Sequence, residues 1–144
     1  MPDITFSATG TSERATLLRV KPRTFTIMVD EPESLGGLDE APNPVEYLLA
    51  ALAGCLNVVG HVVAREMHLE LKGLTMEVEG NLNPERFLGK SMAERAGYKQ
   101  IRVILHPDMQ ADEATKKKWL ETIEQRCPVS DNIMNPTPVS ITVV

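Results

Sequence analysis

The sequence is poor in cysteine. Its 144 residues hold two, Cys55 and Cys127, separated by 72 positions. A small secreted scaffold would carry more, and a structural zinc site would show a short-spaced pair such as C-x-x-C. In a reducing compartment, two isolated cysteines are either buried thiols or a redox couple. An excess of positive charge is also missing: the net charge is -5, which argues against broad binding to nucleic acid. No run of like charges marks a tail. "MPDITFSATG" has no basic region followed by an apolar stretch, so nothing reads as a secretion signal and a cytoplasmic location is expected. "DEPESLGG" is rich in glycine but lacks the lysine and the G-x-G-x-x-G spacing of a phosphate loop.

What is present is ordinary for a soluble globular chain, with 42% apolar and 24% charged residues, and the length suits one domain over residues 1–144. "TFTIMV" (24–29) reads as a strand with "LLRV" as its partner, ending at the turn-rich "DEPESLGG". A long helix begins at "APNPVEYLL", with Asn43 as N-cap, Pro44 at the first helical position and Glu46 complementing the dipole in the first turn. "LKGLTMEVEG" and "YKQIRVILH" alternate apolar and polar residues, so each strand buries one face. Between them a polar connection is broken by Pro84, Gly89 and Gly97, with room for one helical turn. A second helix runs over 112–125 from Asp112 as N-cap, with Trp119, Leu120 and Ile123 facing inward and Lys116, Lys117 and Lys118 in solvent. "RCPVSDNIMNPTP" is a turn region and "VSITVV" a closing strand. Strands, helix, strands, helix and strand make an α+β domain.

The apolar span 47–64 approaches membrane length, but Asn57, His61 and two glycines interrupt it, so it reads as a core helix rather than a membrane span. A helix apolar on nearly all sides needs cover on most of them. Ala50, Ala51, Ala53, Gly54 and Gly60 also admit another backbone at close range, and an intimate homodimer is the simplest solution.

On helical spacing Cys55 shares a face with Leu48, Ala51, Leu52, Val58, Val59 and Val62, surroundings that push a thiol pKa up. No Lys or Arg lies within one turn, and His61 is about a third of the way round. Activation therefore needs a cation brought in by the fold. Cys127 differs: Pro128 can start a short helix, leaving Cys127 near its N-cap, where free N–H groups and Arg126 favour a thiolate. Local physics leaves two readings open, a redox pair or two core thiols.

"DEPESLGGLDEAPNPVEYLLAALAGC", followed much later by "RCPVSDNI", resembles the OsmC/Ohr family of thiol-dependent peroxidases. The likeness covers most of the chain: an L-G-G turn, an N-P helix start, a small-residue helix reaching the first cysteine, and a C-P-V-S box. It implies β-sheets packed on a long central helix in an interlocked homodimer, with active sites at the interface. It also implies that Cys55 is the peroxidatic thiol, Cys127 the resolving one, and that an arginine held by a helix-start glutamate activates the first. Measured from the L-G-G turn, Arg14 is the best match for that arginine, with Arg19 and Arg23 as alternatives. In the best-known peroxidases the glutamate directly follows the N-P proline, where this chain has Val45. Glu46 stands one position later, a rotation of about 100°.

The implied chemistry reduces organic hydroperoxides, with no metal, flavin or haem, and returns the cysteines to thiols with an external dithiol such as a lipoylated protein. Two rivals stand beside it. One is a binding or sulfur-transfer protein on the same fold, holding an apolar or thiol ligand. The other is a metal-binding module using both cysteines and one of His61, His68 or His106.

Overall fold

Residues 1–144 of the computed structural model fall into two units, Met1–Leu48 and Leu49–Val144. In the first, three short strands form an antiparallel sheet in sequential order: β1 (Ala8–Ser12), β2 (Leu18–Pro22) and β3 (Ile27–Val29). Leu18 opposes Val29 and Val20 opposes Ile27, so "LLRV" does partner the third strand. That strand is shorter than its β-rich sequence predicts. Arg23 takes a left-handed conformation (φ 55°), and the Phe25 N–H donates to Pro22 O at 3.1 Å, so the residues before Ile27 are consumed by the turn.

The L-G-G turn needs both its glycines, for different reasons. Gly36 has φ 92°, where a side chain is strained, while a Cβ on Gly37 would fall 1.8 Å from the Glu31 carbonyl oxygen. The helix start is reciprocal. The Glu46 N–H donates to Asn43 Oδ1 at 2.9 Å, and the Asn43 N–H donates to Glu46 Oε2 at 2.8 Å, a capping box that fixes where α1 (Pro44–Glu66) begins.

From Leu49 onward, α1 packs with β4 (Gly73–Asn81), β5 (Gln100–Asp108), α2 (Glu113–Arg126) and α3 (Pro128–Met134). β4 and β5 pair antiparallel, with Met76 opposite Leu105 and Val78 opposite Val103. Their alternation works as the sequence predicts: one face of the hairpin lies against the core and the other carries Glu77, Glu79, Arg102 and His106. The centre of the core is Leu56, Val63 and Ala64 of α1 against Trp119 and Ile123 of α2. The Asp112 side chain caps α2 by accepting from the Thr115 N–H at 2.7 Å. The fold is α+β, with three helices and two small sheets.

The connection from β4 to β5 contains one helical turn, in which the Leu88 N–H donates to Pro84 O at 2.9 Å. Pro128 does start a short helix with Cys127 as its N-cap. Three expectations change. Leu120 does not share the inner face of α2; it is 40% exposed, while Trp119 and Ile123 are at 2% and 0%. Within "RCPVSDNIMNPTP", Pro128–Met134 is a seven-residue helix rather than a turn. "VSITVV" pairs with no strand of its own chain, and Val139, Ile141 and Val143 face outward; its period-two pattern has nothing within the chain to bury against. The apolar helix α1 is long and apolar enough to cross a membrane by length and composition, and 28% of that window is buried. Its second face, including Val58 at 61% exposure, is left open.

Ile123→Ala removes the most buried aliphatic side chain at the α1–α2 contact. It should lower unfolding free energy by about 3 kcal/mol, measured by urea titration.

Candidate active site

Cys55 lies mid-way along α1, half-exposed. Cys127 is 1% exposed and sits at the joint between α2 and α3, closing the first helix and opening the second. Pro128 makes this double cap possible, because it cannot continue α2 but suits the first position of α3. The two sulfurs are 2.9 Å apart and neither is in a disulfide. The Ser130 N–H also donates to Cys127 Sγ at 3.4 Å. Two thiols far apart in sequence thus meet at one point of the core.

Their electrostatics are unequal. Burial pushes the Cys55 thiol above its ordinary range, and the neighbouring Cys127 pushes it further; the backbone at Val129 opposes both. No basic side chain adjoins Cys55 on its own helix. Leu52 and Leu56 of the same helix line a cavity of about 570 Å³ with Val103, Trp119 and Ser130, and Glu113, Lys116, Lys117 and Glu124 add charge to its wall. Neither cysteine lines it; the neighbours of the two thiols in the core are apolar side chains.

The residues expected to activate Cys55 are found in the N-terminal unit. Arg14 donates to Asp30 Oδ2 and to Glu40 Oε2, each at 2.8 Å. Asp30 is wholly buried and also accepts from the Glu40 N–H at 3.1 Å. Burial works to raise its pKa. The Thr16 hydroxyl, the Glu40 and Glu31 N–H groups and the Arg14 charge outweigh burial and hold it at about 2. Asp30 is the carboxylate that sequence reasoning missed, since in "MVDEPES" it reads only as a turn residue. Glu46, expected to hold the arginine, instead spends one carboxylate oxygen on the Asn43 N–H. Asn43-x-x-Glu46 was the signal for that role. Arg19 pairs with Glu13, and Arg23 stacks on Phe25 at 5.1 Å.

No histidine joins the cysteine pair. His61 Nδ1 meets Asn57 O at 2.9 Å, His106 Nε2 meets Glu77 Oε1 at 2.9 Å, and no three His, Cys, Asp or Glu side chains gather as metal ligands.

A family profile described as "OsmC-like protein" matches residues 37–142. The fold is similar to that of an OsmC-like protein from Mycoplasma pneumoniae (18% identity, 94% of this chain and 91% of that one, TM-score 0.80). It is also similar to an organic hydroperoxide resistance protein OsmC from Legionella pneumophila (21%, 92% and 91%, TM-score 0.67). A third likeness is to an organic hydroperoxide resistance protein from Elizabethkingia anophelis (20%, 94% and 91%, TM-score 0.67). Curated protein sequences give no match.

Asp30 makes a pH prediction. Its folded pKa, about 2, lies below the ordinary aspartate value of about 3.9. Its stabilisation is therefore complete above the ordinary value and is lost as pH falls through about 2. Asp30→Asn should be less stable than the parent at pH 6, and the gap should close towards pH 2, measured by urea unfolding at a series of pH values.

Proposed function

Because the chain belongs to the OsmC-like family, we propose that it is a thiol-dependent peroxidase that reduces organic hydroperoxides through Cys55 and Cys127. The observation that carries this reading is the 2.9 Å approach of the two sulfurs among apolar side chains of the core. A thiol pair at that separation closes to a disulfide with little backbone movement.

The steps follow from thiol chemistry. The Cys55 thiolate attacks the distal oxygen of the hydroperoxide, the O–O bond breaks, and an alcohol leaves after protonation. Cys55 is left as a sulfenic acid. Cys127, as thiolate, attacks that sulfur, the S–S bond forms and hydroxide departs as water. An external dithiol, such as a lipoylated protein, then reduces the disulfide by two exchange steps and is itself oxidised. The Ser130 N–H donates to Cys127 Sγ and orients it. Because burial raises the Cys55 pKa, the nucleophile needs a cation when it reacts. In this reading that cation is the Arg14 guanidinium, as the family resemblance implies. The apolar wall favours an alkyl hydroperoxide over hydrogen peroxide. The cycle needs no metal, flavin or haem, and belongs in a reducing cytoplasm that keeps both thiols free.

The active form in this reading is a homodimer. The open apolar face of α1 and the unpaired "VSITVV" segment each call for a partner, and a second copy supplies both. Sedimentation at micromolar concentration should give a dimer; a folded monomer would count against it.

A second reading, a non-catalytic protein that holds an apolar or thiol ligand, has one observation in its favour. Cys55 is pushed up rather than down, and the helix-start glutamate is engaged in a cap. Turnover separates the two. With tert-butyl hydroperoxide and dihydrolipoamide, the parent should cycle. Cys55→Ser should lose activity at least a hundredfold, because a hydroxyl near its free pKa is a poor nucleophile. Cys127→Ser should consume one equivalent and then stall as Cys55 passes to sulfinic acid. No turnover in the parent, together with a copurified ligand, would establish the binding reading.

A further inference from the structure

Cys55 and Glu66 lie on one stripe of α1. They are eleven residues apart, three turns and about 20° of rotation, with Val59 and Val62 between them. The C-terminal end of α2 meets this stripe through two consecutive residues. Cys127 meets Cys55, and the preceding residue, Arg126, reaches the other way along α1 to Glu66. The guanidinium is bidentate: Nη1 donates to Glu66 Oε2 at 2.5 Å and Nη2 donates to Glu66 Oε1 at 3.1 Å. The Trp119–Gly60 contact and Ile123 already seat the body of α2 on α1. The Arg126–Glu66 pair adds a polar attachment at the end of α2 that carries Cys127.

We propose that the Arg126–Glu66 pair is a positioning clamp for disulfide formation, holding the α2–α3 joint in the register that presents Cys127 Sγ to Cys55 Sγ. This rests on the reading of the two cysteines as a redox pair, but it is a statement about their geometry. The clamp acts on the resolving step and leaves the first attack on peroxide alone, because Cys55 is carried by α1 itself. An exposed ion pair contributes little in general; the exception is a bidentate arginine–carboxylate pair. Here it spans the two helices that carry the thiols. The Glu66 carboxyl is held below its ordinary range by the hydrogen bond from Arg126, so the clamp survives mild acid.

The test is the thiol–disulfide equilibrium with glutathione, in which the reduced protein and oxidised glutathione give the Cys55–Cys127 disulfide and two reduced glutathiones. The effective concentration of one thiol for the other is read by alkylation and mass, with no peroxide involved. Glu66→Gln and Arg126→Gln should each lower it about three- to fivefold, with the first-equivalent peroxide rate unchanged. The double swap Glu66→Arg with Arg126→Glu should recover most of the loss. A direct effect of the Arg126 charge on Cys127 predicts otherwise, since Glu66→Gln leaves that charge in place and freed of its partner. Opposite shifts in the two single variants, or values within 1.5-fold of the parent in both, would overturn the proposal. Failure of the parent to consume peroxide would remove the peroxidase reading while leaving this comparison intact.

Discussion

The indole N–H of Trp119 donates to the carbonyl oxygen of Gly60 at 2.9 Å, inside the core and across 59 positions of sequence. The glycine lets the two come close: a Cβ on Gly60 would stand 3.2 Å from both the Trp119 ring and Leu74, so either side chain would have to give by a few tenths of an ångström. This close approach sets α2 on the middle of α1, with Ile123 one turn further along. The α2–α3 joint then falls where Cys55 is, and a change at Gly60 would be felt at the sulfurs.

The thiol chemistry is therefore placed by packing and tuned by charge, and the two do not coincide. Packing brings the sulfurs together but raises the Cys55 pKa, since burial disfavours the thiolate. Each of the two units orders an ion pair of its own. Asp30 is wholly buried and holds Arg14 within the N-terminal unit, and Glu66 holds Arg126 at the far end of the Cys55 stripe.

Much of the scaffold could be read locally. Asn43-Pro44 marks the helix start, Asp112 caps α2, and β4 and β5 alternate with period two; each depends on residues within a few positions of one another. The site was legible only by resemblance. Nothing in the spacing of Cys55 and Cys127 says that they touch, because the contact depends on how α2 packs on α1 through Gly60 and Trp119. Asp30, the buried partner of Arg14, was not legible, since a carboxylate in a turn looks the same whether solvated or buried. Glu46 spends one carboxylate oxygen on a cap three residues away, a contact that the Asn43-x-x-Glu46 spacing marks. "VSITVV" shows the opposite failure: the strand pattern is real, but no strand of its own chain pairs with it.

The central claim is that Cys55 and Cys127 form one redox unit. The direct measurement is peptide mapping by mass after one equivalent of tert-butyl hydroperoxide is added to the reduced protein in the absence of any reductant. The account predicts a single intramolecular Cys55–Cys127 linkage in nearly all molecules, with free thiols restored by dihydrolipoamide. Both cysteines remaining open to alkylation after a modest excess of peroxide would contradict it, and would leave them as packing residues of the core.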